Sequence, residues 1–222
     1  MRYLDLLTAL FATVLLVSNV ASTKLVVLGP FTFDGGTLLF PLAYIFGDVL
    51  TEVYGYRKSR RVIWIGFFAL LPATLTFQAV AHLPAPPDAE SQRFGEAFGL
   101  LLGLTPRIVL GSLLAYFLGE FANAYVLAKL KVRTEGRFFW LRALASTLVG
   151  QGLDTGVFLL VAFYGVFPKE VLLAVFLSNY AFKLGVEALM LPFTYAVVGF
   201  LKRAEGMDAY DRDTDFNPFR LT

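Results

Sequence analysis

The chain has 222 residues, 57% of them hydrophobic, with 23 phenylalanines and only 16% charged residues. A soluble domain typically carries about a quarter charged residues, so a soluble enzyme is disfavoured, as is a disordered chain. No cysteine is present, which excludes disulfides, thiol catalysis and Cys-ligated metals, and the single histidine, His82, argues against a His-rich metal or proton-relay site.

The hydrocarbon core of a bilayer, about 30 Å thick, needs roughly 20 apolar residues per helix. Taken in chain order, spans are expected at 3–21, 37–54, 62–81, 106–129, 138–164 and 170–201. The first lacks a clear basic n-region, carries Asp5 and has no obvious A-x-A cleavage pattern behind it, so it reads as a retained helix rather than a signal peptide. A short apolar turn, Leu25–Phe33, leads into the second. After the third, the segment His82–Leu104 opens with Pro84, Pro86 and Pro87 and becomes amphipathic at Phe94–Leu104, the pattern of a helix lying at the interface. Pro106 suits the first turn of the fourth span, and Pro192 supplies a kink for the overlong sixth. The tail from Glu205 to Thr222 is acidic and ends in Phe216-Asn217-Pro218-Phe219; it either docks through its aromatics or stays loose. The expected fold is therefore all-α: a polytopic membrane protein with a bundle of six transmembrane helices over residues 1–204 and a tail over 205–222.

Basic residues set the orientation. Arg57, Lys58, Arg60 and Arg61, then Lys129, Lys131, Arg133 and Arg137, then Lys202 and Arg203 fall on one side, against Lys24, Arg93, Arg107 and Lys169 on the other. The positive-inside rule places both termini in the cytoplasm. On this reading Lys131 is a loop residue, and Lys131→Ala leaves function intact.

Ionisable groups inside spans are costly and face the bundle interior or a cavity. The second span carries Asp48 and Glu52 at i, i+4; the fourth, Glu120 and Asn123 at i, i+3; the fifth, Gln151 and Asp154 at i, i+3. The sixth carries Asn179, Lys183 and Glu187 in one stripe, and the first adds Ser18 and Asn19. Each set lies on one face of its helix, as a shared central site requires. The plain alternatives are a structural Lys183–Glu187 pair, and Glu52 meeting Arg57 or Arg60 near the membrane surface. Asp154 is harder to explain that way, because interhelical glue is worth only about 1–2 kcal/mol and an Asn would serve. Five carboxylates against one lysine leave two uses: holding a cation or proton, or accepting hydrogen bonds from a donor-rich ligand. Small residues at Gly111, Ala115 and Gly119, and at Ala143, Thr147 and Gly150, mark close helix approach or the surface of a homodimer. No H-E-x-x-H, P-loop or G-x-S-x-G motif is present, so no enzyme is indicated.

Three segments, residues 40–56, 118–129 and 146–155, carry a resemblance. They read FPLAYIFGDVLTEVYGY, LGEFANAYVLAK and STLVGQGLDT, and in them the chain resembles the queuosine precursor transporter family, also called the vitamin-uptake-transporter family. The resemblance implies a six-helix protein of the bacterial inner membrane, without an ATPase of its own and without a cofactor or nucleic-acid partner, that imports 7-cyano- or 7-aminomethyl-7-deazaguanine. A guanine-like edge offers two neighbouring donors beside a carbonyl. Asp48, Glu120 or Asp154 suit the donors; Asn123, Gln151, Asn179 or Lys183 suit the carbonyl. Tyr44, Phe46, Tyr180 and Phe182 offer faces for stacking on a flat base. Two competing readings are a substrate-binding subunit docking on a separate ATPase module, for which Ala9–Thr13 and Ser18–Ser22 supply only a weak small-residue stripe, and an intramembrane enzyme, for which no activated nucleophile is visible.

Overall fold

A computed structural model describes residues 1–28, 31–103 and 106–220. Among these the fold is helical: α1 (Leu4–Ala21), α2 (Phe40–Tyr54), α3 (Tyr56–Ala81), α4 (Ala89–Leu102), α5 (Pro106–Arg133), α6 (Phe139–Phe163) and α7 (Lys169–Glu205). The apolar turn expected at Leu25–Phe33 is a small antiparallel hairpin, β1 (Leu25–Leu28) with β2 (Phe31–Asp34), in which Leu25 faces Asp34. Gly29 and Pro30 of that turn, Leu104 of the expected amphipathic segment, and Leu221 and Thr222 of the tail lie outside the described residues.

Five helices, α1, α3, α5, α6 and α7, are long and apolar enough to cross a membrane. The second expected span is shorter than its hydropathy suggests. A 3-10 turn occupies Gly35–Leu38, and α2 begins at Phe40 with Pro41 in its first turn, leaving 15 residues. At 1.5 Å per residue that is about 22 Å, less than the hydrocarbon thickness. The reason lies in packing. α1, α3, α5 and α7 all pack against α2, and Ala43, Ile45, Val49, Leu50 and Val53 are buried. A helix sheathed by others need not be long enough to face lipid along its whole length.

Polar and charged side chains are buried within the apolar core, while the helix exteriors are apolar. Asp48, Glu52, Glu120, Asn123, Gln151 and Glu187 are buried, whereas Leu6, Leu10, Phe68, Leu75, Leu114, Leu118, Leu160, Leu177, Leu189 and Phe193 are exposed on the helix exteriors. Such continuous apolar cover suits a lipid-facing surface and not one in water. α5 and α6 approach most closely. A Cβ on Gly119 would sit 3.0 Å from the Gly150 carbonyl oxygen, and one on Gly150 would sit 2.9 Å from the Gly119 carbonyl oxygen. The small-residue ridge is thus used within the chain at these two positions rather than presented to a second copy.

The N-terminus and the end of α7 lie together at one end of the bundle. The backbone N–H groups of Arg2 and Tyr3 donate to the Glu205 carboxylate at 2.8 and 2.7 Å, and the Tyr54 hydroxyl donates to the same group at 2.9 Å. The chain reverses from α2 to α3 at the single residue Gly55, whose φ of 81° favours glycine. The tail is docked, not loose. The Tyr56 N–H donates to Asp211 at 2.9 Å, Arg60 donates to the carbonyls of Asp215 and Asn217, and the Trp64 indole N–H donates to the Pro218 carbonyl at 2.8 Å. Phe216 packs on Tyr56 and Tyr125, and Phe219 on Trp64 and Phe117. At the other end, α4 starts one residue after Asp88, whose carboxylate accepts from the Ser91 N–H. It leaves Phe94 and Leu100 exposed and sets Phe98 against Phe77 of α3.

Candidate functional site

The expected polar residues sort into three levels. The first is a cavity of about 700 Å³ lined by α1, α2, α3, α5, α6 and α7. Its walls reach the helix ends opposite the termini, at Thr23, Ile108, Phe163 and Val175, and its depth is marked by Tyr44, Glu120, Asp154 and Lys183. Six of the residues singled out from the sequence line it: Asn19, Tyr44, Glu120, Asp154, Asn179 and Lys183. Lys183 Nζ lies 3.1 Å from Asp154 Oδ2 and 3.4 Å from Thr155 Oγ1, so the lysine pairs across to α6 rather than with Glu187 on its own helix. Ser112 donates to Asn19 Oδ1 at 3.2 Å, and the Tyr116 hydroxyl donates to the Ile63 carbonyl at 2.8 Å.

Some lining residues were not singled out beforehand: Ser112, Tyr116, Thr155 and Phe158. A signal for two of them exists in the sequence. Ser112, Tyr116 and Glu120 follow one another at i, i+4, i+8, so the Glu120 face of α5 continues outward through them.

The second level lies deeper and holds Asp48, Asn123, Gln151 and Glu187, none of which lines the cavity. Asn123 Nδ2 donates to Asp48 Oδ1 at 2.8 Å, tying α5 to α2. Glu120 belongs to both levels, because a Cβ on Gly47 would lie 3.0 Å from its Oε2 and 3.7 Å from Asn123 Nδ2. Gly47 therefore admits the Glu120 carboxylate beside α2.

The third level, near the termini, is built around Glu52. Its carboxylate, 1% exposed, meets Lys131 at 3.4 Å, Arg142 at 3.1 Å and Lys202 at 2.7 Å. Asp208 of the tail bonds to both Lys131 and Lys202. Four helices and the tail are joined by these pairs, which close the bundle on the terminus side. Glu52 meets neither Arg57 nor Arg60 here. Lys131 corrects the sequence reading: it is a buried helical residue at 1% exposure, not a loop residue. Its charge is buried because two carboxylates on other elements receive it. Tyr180 also stands apart from the cavity. Its hydroxyl donates to the Leu148 carbonyl at 2.8 Å and its ring stacks on Phe176. Among the described residues no three His, Cys, Asp or Glu side chains converge to hold a metal ion.

Comparison with known proteins identifies the family. Residues 34–197 match the family described as "Putative vitamin uptake transporter". The chain is 36% identical over 188 residues to the "Probable queuosine precursor transporter" of Bacillus subtilis, covering 84% of this chain and 80% of that one. It is 29% identical over 168 residues to the "Queuosine precursor transporter" of Escherichia coli, covering 73% and 71%, and 26% identical over 166 residues to the "Probable queuosine precursor transporter" of Haemophilus influenzae, covering 73% and 67%. No solved structure matches the chain. With the family match spanning most of the sequence and helices that bury charge beneath an apolar exterior, the chain belongs to the vitamin uptake transporter family of membrane transporters.

Proposed function

We propose that this chain imports queuosine precursors, 7-cyano- or 7-aminomethyl-7-deazaguanine, across the bacterial inner membrane. In this reading α2 completes six passes, both termini are cytoplasmic, and the cavity opens outward. The basic residues near the terminus end, Arg57, Lys58, Arg60 and Arg61 with Arg133 and Arg137, support that orientation.

The observation that carries the substrate reading is the cavity floor. Its volume of about 700 Å³ falls within the usual range for small-molecule sites. Asp154 and Glu120 accept the ring N–H and exocyclic amine, Lys183 or Asn179 donates to the ring carbonyl, and Tyr44 and Phe158 bound the flat base. A neutral base takes the Asp154–Lys183 pair one partner at each end, and the excess of carboxylates favours an aminomethyl cation. The Glu52 cluster seals the far side, as an outward-open transporter requires.

Purified protein in liposomes without ATP tests both the substrate and the independence from an ATPase. Saturable uptake of either 7-deazaguanine, competed by the other and not by adenine, supports the reading. Uptake that appears only with a separate ATPase module would favour a docking subunit instead.

A further inference from the structure

Beneath the cavity floor lies a group of buried oxygens short of hydrogens. Asp48 Oδ2, Glu120 Oε2, Asn123 Oδ1, Gln151 Oε1 and both carboxylate oxygens of Glu187 have no hydrogen-bond partner among the described residues. All five side chains are at most 2% exposed. With the carboxyls ionised every one of these atoms is an acceptor, and Thr147 Oγ1 adds a single unused hydroxyl. Two acceptors cannot bond to each other unless a hydrogen is supplied.

The nearby cations are committed elsewhere. Lys183 bonds to Asp154 and Thr155, while Lys131, Arg142 and Lys202 converge on Glu52. Asp48 is tied to Asn123 of α5, and Glu120 of the same helix lies against Gly47, the residue before Asp48; Glu187 of α7 and Glu52 of α2 are the other carboxylates around it. Glu120 faces Asp154 of α6 and Glu187. Tyr44 and Tyr116 are the phenols beside them. On α1 and α3 the charged side chains are Asp5, Arg57, Lys58, Arg60 and Arg61, all in the first two turns at the terminus end. Unpaired ionised carboxylates buried this deeply are strongly disfavoured.

We infer that Asp48 and Glu187, reached from the cavity through Glu120, form a proton-binding site that couples proton entry to substrate movement. This rests on the uptake reading above. A proton from cavity water adds to a carboxylate oxygen and gives a carboxylic acid that donates to a neighbouring acceptor. When the Glu52 seal parts, the same O–H bond breaks and the proton passes to water on the other side, restoring the carboxylate. No net bond is made over the cycle. Glu120, present both in the cavity wall and beside Asp48, is the link between water and the buried pair.

Two measurements on the full chain in lipid test this. Infrared spectroscopy at neutral pH should show the C=O stretch of a buried carboxylic acid, diminished in Glu187→Gln and in Asp48→Asn. Absence of that band from the wild-type protein would overturn the proposal. In liposomes, an acid exterior should drive accumulation of 7-cyano-7-deazaguanine by up to about tenfold per pH unit for one proton per substrate. Glu187→Gln should lose this accumulation while retaining exchange of labelled for unlabelled substrate at equal pH, and Asp48→Asn provides the same readout should the first variant fold poorly. Undiminished accumulation in both variants, or accumulation driven by a sodium gradient and not by pH, would equally overturn it. A wild-type protein with the infrared band but no exchange of either 7-deazaguanine would instead refute the substrate reading and leave the proton site standing.

Discussion

At the scale of single residues, Asp154 and Lys183 do what spacing alone did not indicate. The stripe Asn179, Lys183, Glu187 made a pair along α7 the simple expectation, but Lys183 bonds across to α6. Pairing across helices cannot be read from one helix's periodicity, because it depends on how α6 and α7 are turned toward each other. Asp154→Asn keeps the shape and removes the charge. It should lower uptake at least tenfold, about 1.4 kcal/mol or more of lost recognition, while leaving the thermal unfolding midpoint near wild type. Normal uptake by that variant would remove Asp154 from the substrate site. Lys131 teaches the opposite lesson. Its place in a cluster of basic residues made it look like a topology signal, yet it is buried between Glu52 and Asp208. Removing one partner of a buried ion pair costs about 3–5 kcal/mol. Lys131→Ala is therefore expected to unfold at clearly lower temperature in detergent and to transport poorly, whereas Arg57→Ala, on an exposed side chain, should do neither.

At the scale of elements, the long helices and their polar faces were legible because hydropathy and the 3.6-residue period act locally. Which helix meets which was not. The glycines of α5 and α6 signalled close approach, and the structure shows that Gly119 and Gly150 approach one another. A Gly119→Val side chain would collide with the Gly150 carbonyl, with Asp154 Cβ at 2.8 Å from its Cβ and with the Tyr44 hydroxyl at 2.9 Å. Overpacking of this kind typically costs about 1–3 kcal/mol. Because the clash also moves Asp154, Gly119→Val should lose uptake more than stability. Gly199→Val, on α7 with open space around it, serves as the control for helix propensity alone. α2 is shorter than its apolar run for a related reason. Hydropathy counts apolar residues without knowing that neighbours sheathe them, so it could not tell a 15-residue buried helix from a full span. The tail was open between docked and loose for want of a partner in view. Its aromatics find theirs on α3 and α5, at Tyr56, Trp64, Phe117 and Tyr125.

At the scale of the whole molecule, the tail joins the Glu52 seal to the flank of the bundle, and its carboxylates make that attachment sensitive to acid. Partial burial opposes the charge on Asp208, but hydrogen bonds from Lys131 and Lys202 outweigh it and hold its pKa below the ordinary value of 3.8. The Arg220 guanidinium, then the Asn217 N–H, lowers that of Asp215. A carboxyl whose folded pKa is depressed adds stability that is fully present above its unfolded pKa and is lost as pH falls through the folded value. Tail docking should therefore hold constant from neutral pH down to about 5 and weaken only below about 4. Trp64 reports it directly, since its indole N–H donates to Pro218 and its ring packs on Phe219. With Trp140 replaced by Phe, Trp64 emission should stay fixed across the upper range and shift on acidification, reversibly, with α-helical content unchanged. Arg60→Ala, which removes the donor to the Asp215 and Asn217 carbonyls, should give the shifted emission already at neutral pH. An acid transition in which helix content falls together with Trp64 emission would instead mean that the tail and the bundle come apart as one unit.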